Sequence, residues 1–330
     1  MNIGIDLGTA NIIITIENKG IVLNEPSVLA YNLKTEKVIA VGIDAYKMLG
    51  RTPEYIRVIR PLADGVISDD RMTKLLIKEF ILKVTAKSLF RPKICICIPI
   101  GTTEVEKRSI IEAAASAGAK KVYLIAEPIA ALMGAGIDIE QANGSIVVDI
   151  GGGTADTAVV SLGGIVASDS VKIAGNKITT AIIDYAKEAY GILIGDKTAE
   201  EVKKELTNLY RPNEKNLMAV KGRNLVTGLP DTIEFSEKDV YRAIIPCVNA
   251  IIESSKSVLE KTPPELASDI YENGLLLTGG GALLGNLDLL MADMLSIKVR
   301  QAESPMFCVA KGTMAAFDRA GALLDGFSKV

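Results

Sequence analysis

Two aspartates, each ending a short apolar run and each followed by small residues, constrain this chain more than any other feature. Asp6 lies in Ile3-Gly4-Ile5-Asp6-Leu7-Gly8-Thr9-Ala10-Asn11, and Asp149 in Val147-Val148-Asp149-Ile150-Gly151-Gly152-Gly153-Thr154. A second β-rich run follows each turn, Ile12–Ile16 in one case and Thr157–Leu162 in the other. The pattern is a buried strand, a tight turn and a returning strand. Small residues leave the N–H groups of the turn uncovered, and such a nest suits phosphate oxygens. The carboxylate before it suits a hydrated divalent cation. Two copies of the unit predict two clamps closing on one polyphosphate.

Composition narrows the chemistry. The 330 residues are enough for two domains, and 48% hydrophobic residues with a mean hydropathy of +0.29 exclude a disordered chain. A net charge of −3 argues against a nucleic-acid partner. Histidine is absent, which removes imidazole acid–base catalysis, Ser–His–Asp triads and imidazole metal sites. Carboxylates, lysines, hydroxyls and a metal ion remain. Cys95, Cys97, Cys247 and Cys308 lack the spacing of a disulfide framework or zinc site. Cys95 and Cys97 share one face of a strand and read as buried thiols. No run approaches the ~20 apolar residues of a membrane span. The N-terminus opens on a strand rather than a signal peptide, so a cytosolic location is expected.

Apolar periodicity predicts strands over Asn2–Asp6, Asn11–Glu17, Gly20–Leu23 and Ser27–Tyr31, then a polar insertion from Tyr46 to Arg60. A helix is expected over Arg71–Thr85 and a buried strand over Ile94–Pro99. Thr103-Glu104-Val105-Glu106 has the form of a capping box opening a helix through Ala115. Strand Lys121–Ile125 and helix Ile129–Gly134 complete the first half. The second half repeats the programme from Asp149, with helices near Thr179–Tyr190, over Lys197–Leu209 and over Glu237–Leu259, the last containing Pro246. A polar β-like stretch covers Ala219–Phe235. Thr262-Pro263-Pro264 breaks the chain, and strand Gly274–Thr278 runs into Gly279-Gly280-Gly281, a helix over Leu283–Met294 and a last helix over Val309–Leu324. Two βββαβα-like halves with polar insertions make an α/β protein.

Further segments carry a resemblance: Leu23-Asn24-Glu25-Pro26-Ser27-Val28, Met48-Leu49-Gly50-Arg51-Thr52-Pro53, Arg60-Pro61-Leu62-Ala63-Asp64-Gly65-Val66-Ile67, Thr262-Pro263-Pro264-Glu265-Leu266-Ala267-Ser268-Asp269-Ile270 and Leu277-Thr278-Gly279-Gly280-Gly281-Ala282-Leu283. With the two aspartate units, in this order and nearly end to end, they resemble MreB, the bacterial actin homologue. Asp-x-Gly-Thr alone is shared with sugar kinases and chaperone ATPases, whereas the full series is specific.

The resemblance implies an actin-like (ribonuclease H-like) duplicated α/β fold, two domains each with a smaller insertion subdomain around a nucleotide cleft. Subdomain IA is expected at 1–30, 61–140 and 305–330, IB at 31–60, IIA at 141–178 and 243–304, and IIB at 179–242. ATP or ADP with Mg2+ is the implied cofactor, and slow ATP hydrolysis coupled to polymerisation the implied activity. The implied partners are the chain itself, in antiparallel double filaments, an anionic membrane surface at the inner face of the cell membrane, and membrane morphogenesis proteins. The implied role is cell shape. A small-molecule kinase of the same superfamily is the alternative, disfavoured by the short insertions. A chaperone-type ATPase would need a further domain after Val330.

By the same resemblance, Gly8, Thr9, Ala10 and Asn11 and Gly151, Gly152, Gly153 and Thr154 bind phosphates through their backbone, and Asp6 and Asp149 hold Mg2+ mainly through water. Glu127 takes the family's catalytic acid position and orients the attacking water, while a carboxylate at a helix N-terminus is also at home there. Thr154 and Asp156 make a second water contact, in Thr154-Ala155-Asp156 where the family usually has Thr-Thr-Glu. The lost hydroxyl and methylene predict hydrolysis slower than is typical of the family. Glu200 and Lys203, with Gly279, Gly280, Gly281, Ala282 and Leu283, are expected to hold base and ribose, although the first two equally suit a solvated i,i+3 ion pair. Three successive glycines would let backbone approach a flat base, with a helix N-terminus following. Leu89 and Phe90, flanked by Lys83, Lys87, Arg91 and Lys93, fit shallow membrane insertion or, alternatively, a cap on the core beneath Ile94–Ile98.

Overall fold

β-branched runs become the central strands, and the polar stretches between them become helices and small satellite sheets. The computed structural model describes residues 1–63, 66–86, 90–318 and 328–329. Strands β1 (Asn2–Leu7), β2 (Asn11–Ile16), β3 (Gly20–Pro26), β4 (Leu29–Asn32) and β5 (Lys37–Val41) precede helix α1 (Ile43–Lys47) and β6 (Ile56–Ile59). Next come β7 (Leu62–Ala63), β8 (Val66–Ile67), α2 (Asp70–Thr85), β9 (Lys93–Ile98), α3 (Glu104–Ser116), β10 (Lys121–Ala126) and α4 (Glu127–Gly134). β11 (Ser145–Ile150), β12 (Ala155–Ser161), β13 (Gly164–Val171), α5 (Gly175–Tyr190), β14 (Ile192–Leu193), α6 (Asp196–Leu206), β15 (Leu217–Asn224) and β16 (Pro230–Ser236) follow. The chain then forms α7 (Glu237–Lys261), α8 (Pro264–Asn273), β17 (Leu275–Thr278), α9 (Leu287–Leu295), β18 (Val299–Gln301), α10 (Cys308–Ala315) and β19 (Ser328–Lys329).

Two compact units result, one made of residues 1–143, 160–168 and 306–330, the other of 144–159 and 169–305. In the first unit a six-stranded sheet has the order β19-β10-β9-β1-β2-β3. β1, β9 and β10 run parallel, while β2 and β3 return antiparallel. Odd positions of β1 and even positions of β9 (Ile3, Ile5, Leu7, Ile94, Ile96, Ile98) pack with Leu76, Ile77, Phe80 and Ile81 of α2 and Ile110, Ala113 and Ala114 of α3. Burying these apolar side chains stabilises the unit by ~25 cal/mol per Å² of apolar surface removed from water. α10 and α4 cross so closely that a Cβ on Gly312 would collide with the carbonyl of Ala130, and one on Gly134 with that of Cys308. A small sheet, β5-β4-β6, encloses Val28, Ala30 and Ala45.

In the second unit the main sheet has the order β13-β12-β11-β17-β18, with β11, β17 and β18 parallel. This is the order β3-β2-β1-β9-β10 over again. Ser255 of α7 shares a hydrogen bond with Thr157 of β12, and Ser254 donates to Asp169 of β13. A satellite sheet, β14-β15-β16, carries the polar β-like stretch.

The capping box at Thr103 forms as expected, its hydroxyl accepting from Glu106 N while Glu106 accepts from Thr103 N. Several boundaries differ from the sequence reading. α5 begins at Gly175 instead of Thr179, because its first turn is held by tertiary hydrogen bonds that outweigh the poor propensity of glycine and asparagine. α6 ends at Leu206 instead of Leu209, where Thr207 turns extended and its hydroxyl caps Lys203 O. Pro263-Pro264 starts a helix as well as ending one, since proline suits a first helical turn. The triple glycine itself enters a 3-10 turn, Gly280–Leu283, and α9 begins only at Leu287. Part of the expected last helix, Val309–Leu324, lies outside the described residues; the described part is α10.

Candidate functional site

In the first unit, Asp6 sits near the C-terminal end of β1 and the turn Gly8–Asn11 follows it. Ser27 pins that turn: its hydroxyl donates to Gly8 O at 2.5 Å and its N–H to Ala10 O at 2.9 Å. Asn11 adds a bond to Asn24. The Leu23–Val28 segment therefore shapes the turn, a role its sequence did not disclose. Glu127 is the first residue of α4 and is buried, so the helix dipole favours its charge. Cys97 of β9 donates to Asp6 Oδ1 at 3.4 Å and lies 3.9 Å from Glu127 Oε1. Burial holds that thiol well above its ordinary pKa, and the two carboxylates add to the rise.

In the second unit, Asp149 lies near the end of β11, and Gly151 N donates to Thr154 O to close the turn. Asp149 is buried and accepts from Thr278 Oγ1 at 2.6 Å. Burial pushes its pKa from 3.8 up to about 6, the Thr278 bond working against the rise and the charge of Asp156 adding to it. A buried carboxyl this reluctant to ionise alone is the donor a hard cation needs, so the residues present fit Mg2+. Among the described residues no group of three or more Asp, Glu, Cys or His is placed to hold a metal ion.

The first turn of α5 seats on the glycine turn, with Gly175 N donating to Gly151 O and Asn176 N to Gly152 O. Lys203 ties the arrangement from behind. Its ammonium bonds Glu200 at 2.6 Å, Gly175 O at 3.1 Å and Thr179 Oγ1 at 3.0 Å. Its side chain is 11% exposed and that of Glu200 39%, so the lysine end of the i,i+3 pair is withdrawn from water while the carboxylate end still meets it. Burial pulls the Lys203 pKa down against the opposing pull of Glu200. Burial would raise Glu200, but the Lys203 bond and charge bring it net below its ordinary value.

Asp156 departs from expectation. It has no exposed surface, and neither oxygen completes a hydrogen bond of good geometry with a described residue. Burial pushes its pKa up, the hydroxyls of Ser170 and Thr154 pull it down, and Asp169 adds to the rise. The glycine run also has a packing basis. A Cβ on Gly279, at φ +79°, or on Gly281 would collide with Ile150 at the end of β11, and only Gly280 faces open space. Those glycines bring the 3-10 turn, with buried Ala282 and half-exposed Leu283, against the strand that carries Asp149. Leu89 lies outside the described residues, and Phe90 is 77% exposed, not a core cap. No described helix is long and apolar enough to cross a membrane.

The sequence matches the MreB/Mbl protein family over residues 1–324. The chain belongs to the MreB/Mbl family. It is 48% identical over 330 residues to the cell shape-determining protein Mbl of Bacillus subtilis, covering all of this chain and 97% of that protein. It is 47% identical over 317 residues to the cell shape-determining protein MreB of Escherichia coli K12, covering 94% of this chain and 91% of that one. MreB5 of Spiroplasma citri bound to AMPPNP superposes with a TM-score of 0.89 at 37% identity, over 96% of both chains. The ADP-bound form of MreB5 gives 0.90 at 38% identity, again over 96% of both. MamK in its double helical filament shares the fold at TM-score 0.80 and 20% identity, over 96% of this chain and 98% of that one. The fold is therefore actin-like, and the family is that of the cell shape-determining proteins.

Proposed function

We propose that this MreB/Mbl family member binds ATP with Mg2+, hydrolyses it slowly in step with polymerisation, and forms antiparallel double filaments on the inner face of the cell membrane in shape control. The four-subdomain partition given above is part of the proposal. The observation that carries it is the repetition inside the two units. Each has the same strand order, with an aspartate near the end of its middle strand and a side-chain-poor turn directly after it. The nucleotide-bound forms of Spiroplasma citri MreB5 support the choice of ligand.

In this reading, N–H groups of Gly8–Asn11 and Gly151–Thr154 bind phosphate oxygens, and Asp6 and Asp149 hold Mg2+ through water. Bound Mg2+ neutralises charge on the phosphates. Glu127 accepts a hydrogen bond from the attacking water, Thr154 offers it a second contact, and Asp156 acts through Thr154. Glu200 and Lys203 brace α5 against the glycine turn beside the nucleoside end formed by Gly279–Leu283. Ala155 lacks the hydroxyl that would fix the water further, so turnover is slow. Light scattering on ATP addition, followed alongside phosphate release, tests the reading. Concentration-dependent scattering with slow release is expected. ATP-dependent phosphorylation of glycerol or a hexose without scattering would make the chain a small-molecule kinase instead.

A further inference from the structure

A fully buried thiol sits against two of the carboxylates just assigned, and nothing in the mechanism uses it. β1 and β9 run in parallel register from Asn2 opposite Lys93 to Ile5 opposite Ile96. One more step along both strands sets Asp6 beside Cys97. β9 and β10 pair through Cys97 opposite Ile125 and Ile98 opposite Ala126, which delivers Glu127 just beyond. The sheet thus fixes three side chains, on β1, on β9 and on the first residue of α4 directly after β10, with Sγ 3.4 Å from Asp6 Oδ1 and 3.9 Å from Glu127 Oε1. A thiol has one proton to donate, and the shorter contact takes it.

We infer that Cys97 is a positioning residue for Asp6: its thiol donates to one carboxylate oxygen and fixes the rotamer in which the carboxylate meets the metal-bound water. This rests on the nucleotide-binding reading above. Residues that support a metal-holding carboxylate act through orientation and preorganisation, without touching the ligand. The bland account of Cys97, a small apolar filler, fits Cys95 instead. Cys95 is two residues earlier on the same face and equally buried, opposite Gly4, which has no side chain to receive a proton. The chain therefore contains its own control.

The test compares Cys97→Val, which keeps volume without a donor, Cys97→Ser, which keeps a donor at slightly smaller size, and Cys95→Val. The readout is the Mg2+ concentration giving half-maximal retention of a fluorescent ATP analogue, with thermal midpoint measured in parallel. Cys97→Val is expected to raise the Mg2+ requirement about fivefold, as loss of a hydrogen bond to a charged group does. Cys97→Ser and Cys95→Val are expected to stay within about twofold of wild type, a smaller effect than that same loss. The thermal midpoint is expected to be higher for Cys97→Val than for Cys97→Ser, the reverse of the Mg2+ ranking, because hydroxyl burial costs more than methyl burial. Wild-type Mg2+ dependence in Cys97→Val, or a shift in Cys97→Ser as large as that in Cys97→Val, overturns the positioning role alone. A wild type without any Mg2+-dependent retention overturns the nucleotide-binding reading with it.

Discussion

Asp149 concentrates the chemistry of the second unit into one titrating group. Its pKa is raised to about 6, chiefly by burial, from an ordinary 3.8. The folded chain therefore holds a proton more tightly than the unfolded chain, and stability without ligand falls as pH rises from about 4 to about 6. The loss is of order 3 kcal/mol at 1.36 kcal/mol per unit. Asp149→Asn is expected to flatten this slope and to raise the apo thermal midpoint at pH 7.5 but not at pH 4, as seen by calorimetry without Mg2+. A destabilised Asn variant at pH 7.5 would contradict the burial argument. Lys203 gives a second residue-scale prediction. Lys203→Met takes its closest cation from Glu200 and one of two donors from Gly175 O, which keeps the Thr179 hydroxyl, costing about 2 kcal/mol in urea unfolding. Adding Glu200→Gln is expected to recover part of that loss, because the two sites share one interaction.

At the scale of elements, caps and close helix crossings make different demands. Thr103→Ala removes one half of the α3 capping box and is expected to cost about 1 kcal/mol. Gly312→Ala is expected to cost about 3 kcal/mol, because the added methyl meets Ala130 backbone that cannot turn aside. Equal effects in denaturant melts would mean that the α4–α10 crossing yields more readily than its geometry implies. These elements also mark what sequence could reveal. The two aspartate strands, the Thr103 box and the breaks at glycine and proline were legible because each is a local pattern. The first turn of α5 was not, since Gly175 and Asn176 become helical only by bonding Gly151 and Gly152. Thr278, Ser27 and Cys97 were missed because their partners, Asp149, Gly8 and Asp6, are distant along the chain. The Asp156 side chain was assigned to water by resemblance, and it lies on β12, a strand buried along its whole length.

At the scale of the whole molecule, the two main sheets repeat one strand order while their satellite sheets differ. The membrane reading adds one surface to that frame. Phe90 is exposed beside Arg91 and Lys93, a composition suited to an anionic interface. Leu89→Ser/Phe90→Ser is expected to abolish co-sedimentation with anionic liposomes while ATP-induced light scattering persists, and unchanged co-sedimentation would remove the loop from the membrane account. In the proposed function both aspartate units serve one Mg2+-nucleotide complex. Isothermal titration of the folded chain with ATP, with and without Mg2+, tests it most directly, using wild type, Asp6→Asn and Asp149→Asn. The account predicts Mg2+-dependent binding that falls at least about tenfold in each variant, the scale of losing a charge-assisted contact. Mg2+-independent affinity, or wild-type affinity in both variants, would contradict it.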